Sequence, residues 1–144
     1  MRTDWHAYFM AIAQVVARRG TCDRRQVGCV FVRDRQILAT GYNGSPSRQP
    51  HCDDAGHDML AGHCVRTVHA EANAIAQSAR RGVALDGAKL YTTTYPCWDC
   101  LKLVFSVGVR TIYYSEGYPQ FDHMSRSHGL VANAGLEIVR IPSD

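Results

Sequence analysis

From Thr67 onward the chain alternates between two periods. "TVHAEANAIAQSARRG" (Thr67–Gly82) is an alanine-rich amphipathic stretch that predicts a helix ending at Gly82. "AKLYTTT" (Ala88–Thr94) is aromatic and β-branched, as strands are. Pro96 then starts a helix, "CWDCLKLVFSVG", with Gly108 at its end. "RTIYYSE" (Arg110–Glu116) predicts a strand, a helix is expected near Phe121–Ala134, and "LEIVRI" (Leu136–Ile141) predicts a last strand. Such alternation demands crossovers, which set strands parallel and lay helices on the sheet. Upstream, "QVGCVFV" (Gln26–Val32) and "QILATGY" (Gln36–Tyr42) flank the short turn "RDR" and predict a hairpin. Asp4–Arg19 predicts a first helix closed by Gly20. The expected fold is α/β: a three-layer α/β/α sandwich with a five-stranded mixed sheet, as one domain over residues 1–144.

Residues 43–67 have no clear period. A segment this long inside a compact domain is expected to be functional or tied down. It is rich in cysteine and histidine. The whole chain has six Cys and seven His, many for a chain of this size that is expected in the cytoplasm. The N-terminus spaces Trp5, Phe9, Ile12 and Val16 helically between Asp4 and Arg18, so it predicts a surface helix rather than a cleaved leader. The expected compartment is the cytoplasm, where a disulfide framework is not expected and metal binding is the remaining explanation for several cysteines. No stretch approaches the apolar length of a membrane helix. The net charge of +3 is too mild for a nucleic-acid coat and fits small anions held at a few arginines, or plain surface charge.

Cys97 and Cys100 stand at C-x-x-C spacing where a strand turns into a helix. The free N–H groups of a helix start favour thiolates. Alone, the pattern fits a metal, a redox pair or core cysteines. His69 and Glu71 change this, because they sit at another strand-to-helix junction, and parallel flanking strands would bring both helix starts to one sheet edge. One His and two Cys are three zinc ligands, which leaves a fourth position for water and marks a catalytic rather than a structural site. Glu71 can reach that water without ligating. Its other reading, a first-turn acid that complements the helix dipole, gives way because H-x-E followed by P-C-x-x-C is the zinc deaminase signature.

The chain resembles the deoxycytidylate (dCMP) deaminase family of the cytidine deaminase superfamily. "RRQVGCVFV", "GYNGSPS", "HCVRTVHAEANAI" and "YPCWDC" look like that family's segments in its order, from about Arg19 to Tyr118. The resemblance implies a cytidine deaminase-like fold and hydrolysis of dCMP to dUMP and ammonia, feeding thymidylate synthesis. It implies that His69, Cys97 and Cys100 hold the catalytic zinc and that Glu71 carries protons: from water to N3 of the pyrimidine, then to the departing amine, while hydroxide attacks C4. A phosphorylated substrate asks for a cation, and Arg19, Arg24, Arg25 and Arg66 are the candidates, each with the alternative of a solvated surface charge. Asn43 resembles the family asparagine that contacts the sugar, or it is a turn residue. Tyr118 matches a family aromatic near the base, or it is an ordinary tyrosine.

The resemblance also implies a second, structural zinc in several relatives. Cys22, Cys52 and Cys64 with His57 are the expected ligands, His63 competing for the fourth place; otherwise these are unrelated buried cysteines and loop histidines. Many relatives look to have cysteine where His57 stands, and histidine can replace it. Cys29 is expected to be plain core. The family further implies control at the "GYNG" loop, with dCTP activating and dTTP inhibiting, in a homo-oligomer, often a hexamer. Arg48 stands where relatives usually have glycine, which puts the details of effector binding in question. Two other functions remain: deamination of another nucleoside or base, such as cytidine, guanine, a tRNA adenosine or a riboflavin intermediate, or a non-catalytic zinc-dependent interaction module of the late-competence type.

Overall fold

The structure is a computed structural model that describes residues 1–117, 129–133 and 135–142. Helix α1 (Trp5–Ala17) opens at Asp4, whose Oδ2 accepts from the N–H groups of His6 and Ala7 at 3.0 and 3.3 Å. It ends two residues earlier than expected. Turns carry the chain on to Gly20, whose N–H still reaches Ala17 O at 2.9 Å. Strands β1 (Gly28–Arg33) and β2 (Gln36–Tyr42) form the expected antiparallel hairpin. Asp34 and Arg35 between them both take positive φ, 52° and 62°, the twist that a two-residue hairpin turn needs.

The 43–67 segment is less irregular than expected. It holds a one-turn helix, α2 (Cys52–Ala55), and a small antiparallel ribbon of β3 (Met59–Leu60) and β4 (His63–Cys64). A bridge between Gly44 and Val68 closes its base. Elements this short carry too few residues to show a period. Then come α3 (Ala70–Arg81), β5 (Lys89–Thr94), α4 (Trp98–Ser106), β6 (Thr111–Glu116) and β7 (Glu137–Arg140). Of the helix expected near Phe121–Ala134, residues 129–133 are described, and 129–131 are helical; the rest lies outside the described residues.

The sheet is mixed and five-stranded, in the order β2-β1-β5-β6-β7. β1 runs antiparallel to both β2 and β5, and β5, β6 and β7 run parallel. Alternation along β1 splits the core in two. Cys29 and Phe31 face α3 and α4 with Leu90, Leu101, Val104 and Ile112. Val30 and Val32 face α1 with Phe9, Met10, Ala13 and Tyr91. The architecture is the expected α/β/α sandwich. The strands before α3 and α4 run the same way, as expected, without being neighbours. β2 and β5 point the same way because β1 lies between them, antiparallel to each, and that shared direction brings both helix starts to one edge.

Gly41 makes the α3 side of this arrangement possible. A Cβ there would sit 2.2 Å from Ala70 O and 2.8 Å from the Ala74 Cβ, so any side chain would push the start of α3 off β2.

Candidate active site

His69 immediately precedes α3 in extended backbone (φ −63°, ψ 151°), and its side chain makes no capping bond. Cys97 holds the same place before α4 (φ −70°, ψ 168°), and Cys100 lies in the first turn of that helix. Residues three apart share a helix face, so C-x-x-C brings two sulfurs together. His69 Nδ1 is 3.4 Å from Cys97 Sγ and 3.5 Å from Cys100 Sγ. Ordinary Zn–S and Zn–N lengths at tetrahedral angles separate such ligands by about 3.6 Å. Donor type and spacing both fit zinc. Cys97 is lowered to about 4, first by the Cys100 hydrogen bond and, against burial, by His69. His69 is raised in turn, chiefly by its hydrogen bond to Cys97. The protons shared within this triangle are those that metal binding releases.

Glu71 is 4% exposed beside the triangle. Burial raises its carboxyl above the usual range, and a Cys100 hydrogen bond opposes the shift. The buried Thr92 hydroxyl, on β5, stands 3.4 Å from Glu71 Oε1 and donates to it in a long contact. A buried acid whose carboxyl is raised in this way is suited both to take and to give a proton.

The triangle and Glu71 open on a cleft of about 750 Å³. Arg25 and Asn43 line it, as do Arg24 and Tyr95. The Arg25 guanidinium has no ion-pair partner among the described residues. Asn43 is engaged with the chain itself: Val27 N–H donates to its Oδ1 at 2.7 Å, and its Nδ2 donates to Arg25 O. It therefore holds the Arg25–Val27 segment in the cleft wall, and it is not the tip of a turn. Arg19 and Arg66 are not among the lining residues. Arg66 Nε donates to Gly56 O at 2.8 Å, and Arg19 is exposed beyond the end of α1. Tyr118 lies outside the described residues.

Asn73 is a positioning residue that the sequence reading missed. Its Nδ2 reaches Tyr42 O, Gly44 O and Val68 O at 2.9, 3.2 and 3.2 Å, tying the first turn of α3 to the end of β2. Its signal was a polar side chain four residues after His69, on a helix otherwise alanine-rich.

A second donor cluster has no residue in common with the triangle, and two of its members, Cys22 and Cys64, line the same cleft. Cys22, Cys52, His57 and Cys64 bring one ligand atom each within 4.8 Å of one another. Cys22 Sγ is 3.4 Å from His57 Nδ1, and Cys52 Sγ is 3.5 Å from Cys64 Sγ. His63 is outside this group. His57 Nε2 meets Asp23 Oδ1 at 2.9 Å, the carboxylate–histidine pairing that orients a metal-binding imidazole. Cys64 is lowered to about 6, first by the Arg66 backbone N–H. Four protein donors make a closed set, which suits a structural ion. Cys29 is fully buried in β1 and belongs to the core, as expected.

A sandwich that brings a His-Cys-Cys set and a buried carboxyl to two adjacent helix starts defines a zinc-binding α/β enzyme. Residues 3–116 match the model of the cytidine and deoxycytidylate deaminase zinc-binding region, and the chain belongs to that family. It is 42% identical over 143 residues to the ComE operon protein 2 of Bacillus subtilis, spanning 99% of this chain and 74% of that one. It is 35% identical to the deoxycytidylate deaminase of Saccharomyces cerevisiae over 96% of this chain, and spans 45% of the yeast protein. Among solved structures, the dCMP deaminase of cyanophage S-TIM5 in complex with dCMP and dUMP superposes with a TM-score of 0.81 at 29% identity, covering 98% of this chain and 99% of that one.

Proposed function

We propose that this protein is a zinc-dependent dCMP deaminase, working in the cytoplasm as a homo-oligomer to supply dUMP for thymidylate synthesis. The observation that carries the reading is the buried Glu71 beside the His69–Cys97–Cys100 triangle, opening on a cleft lined by Arg25, which has no ion-pair partner among the described residues. Family membership and the likeness to a deaminase solved with dCMP and dUMP support the substrate.

When bound, the ion is a Lewis acid that brings the pKa of water towards about 7 and so supplies the nucleophile. The residues do the rest. Glu71 accepts the first proton of the attacking water and delivers it to N3 of the pyrimidine, then takes the second from the new C4 hydroxyl and passes it to the amine, so that the C4–N bond breaks, the C4 carbonyl forms and ammonia leaves. Its burial favours this shuttle, because a raised pKa lets the carboxyl hold the proton between transfers. Arg25 grips the 5′-phosphate, and a rigid guanidinium fork suits that task. Asn43 serves through the backbone it holds. The Cys22–Cys52–His57–Cys64 set takes a second, structural zinc that orders residues 43–67, with His57 rather than His63 as the fourth ligand.

Six free cysteines, several gathered in metal-ligand sets, support a reducing compartment. The family's effector control by dCTP and dTTP extends to this chain through the loop that contains Arg48. There φ is +68°, a conformation glycine adopts freely, which fits the glycine that relatives usually have at this position. A rate comparison of dCMP with deoxycytidine, each with and without dCTP and dTTP, tests the reading. dCMP is the preferred substrate, with dCTP raising and dTTP lowering its rate. Preference for the nucleoside overturns the substrate, and indifference to both effectors overturns the control.

A further inference from the structure

Arg25 is exposed, and so are Asp23, Arg24 and Gln26 beside it. A run of exposed residues buries little of its own surface. The place of the Arg25 guanidinium therefore depends on how the two buried ends of the run, Cys22 and Val27, are held. The Val27 end is held by a side chain of the cleft wall: Asn43 accepts from Val27 N–H at 2.7 Å and donates to Arg25 O. The Cys22 end is held differently. Cys22 O accepts from Arg25 N–H at 3.2 Å, which closes a single turn over Cys22–Arg25. The Cys22 side chain belongs to the second donor cluster, with Sγ 3.4 Å from His57 Nδ1.

The other three donors, Cys52, His57 and Cys64, all come from the 43–67 segment, so an ion held by the four joins that segment to the turn. Other contacts join the two as well. Asp53 N–H donates to Thr21 O at 3.1 Å, His57 Nε2 meets the exposed Asp23 carboxylate at 2.9 Å, and Arg24 Nη2 reaches Gly62 O at 3.4 Å. The first stops one residue short of Cys22, the second is a surface pair and the third is long, so they hold the turn weakly. A metal–thiolate bond at Cys22 is the strongest link available at that end. Three residues on, the same turn presents Arg25 to the cleft.

We propose that the Cys22–Cys52–His57–Cys64 set does more than order the 43–67 segment: by pinning Cys22 it positions Arg25, and so sets the affinity of the cleft for the substrate phosphate. The inference rests on the deaminase reading and on Arg25 as the phosphate contact. His57 is the positioning residue that tests it. It is exposed and does not line the cleft, so it acts on a nucleotide only through the segments the ion joins. The test is calorimetric binding of dUMP and of deoxyuridine, with zinc counted on the same samples. The ratio of the two affinities isolates the phosphate, because a general loosening of the fold weakens both ligands alike. His57→Ala is expected to hold one ion per chain where the wild type holds two, and to lower the ratio by about 10-fold, the weight of one charge-assisted hydrogen bond. His57→Cys supplies another zinc donor and is expected to restore both the second ion and the ratio. Asp23→Asn, an exposed change, is expected to weaken the second ion by about 10- to 100-fold, so that mild chelation lowers the ratio and added zinc returns it. An unchanged ratio in His57→Ala at one ion per chain overturns the proposal, and so does a second ion retained by that variant. If His57→Ala does not fold, Asp23→Asn decides: a ratio that stays constant while the second ion leaves and returns overturns the proposal. These failures leave the deaminase reading standing. A wild type that binds deoxyuridine as tightly as dUMP overturns the substrate reading, and this proposal with it.

Discussion

Glu71 has two separable properties, position and acidity, and a single substitution tests the second alone. Glu71→Gln keeps the volume and the Thr92 contact but cannot carry a proton. It is expected to retain zinc and fold while the turnover number for dCMP falls by at least about 1000-fold, within the range that a positioned acid–base group contributes. Arg25 is distinguished by what it does not touch. Arg25→Ala is expected to raise KM for dCMP by about 10- to 100-fold, the weight of a charge-assisted hydrogen bond, and to leave deoxycytidine kinetics unchanged. Steady-state kinetics on both substrates checks this. Gly41→Ala probes the approach of α3 to β2. The added methyl would clash with Ala70 O, so a loss of about 3 kcal/mol or more is expected in denaturant unfolding. The zinc triangle was legible at this scale, because N-cap and first-turn positions are defined by local sequence. Asn73 was not, since its three carbonyl partners come from segments that only the folded chain brings together.

At the scale of elements, the helices and strands of the sandwich were readable from period and turn residues, whereas the 43–67 segment was not. Its elements are two to four residues long, and its order comes from side chains rather than from a repeating backbone pattern. That gives the Cys22–Cys52–His57–Cys64 cluster its expected role. Cys52→Ser should lower the zinc content from two ions per chain to one and lower the melting temperature by about 5 °C or more. Metal analysis beside a thermal melt reads both, and an unchanged zinc count would remove the second site. Arg48 offers an opposite change. Its φ of +68° strains a residue with a Cβ, and its side chain is exposed. Arg48→Gly is expected to stabilise the fold by about 1 kcal/mol, seen as a higher denaturation midpoint at unchanged slope.

For the whole molecule, the alternation of helix and strand predicted the layers and the mixed sheet. The strand order was not readable in full. Whether β2 and β5 are adjacent or separated by β1 depends on how the hairpin docks, a long-range choice that leaves no local mark. The function survives that ambiguity because either arrangement points both helix starts the same way. What joins the scales is one site: two helix starts, a donor triangle, a buried carboxyl and, in the shared cleft, Arg25 without an ion-pair partner among the described residues. The measurement that tests this most directly is dUMP and ammonia formation from dCMP by the zinc-loaded protein, run beside Glu71→Gln at equal zinc content. The account predicts dUMP and ammonia in equal amounts from the wild type and essentially none from the variant. No turnover by the zinc-loaded wild type, or full turnover by Glu71→Gln, would contradict it.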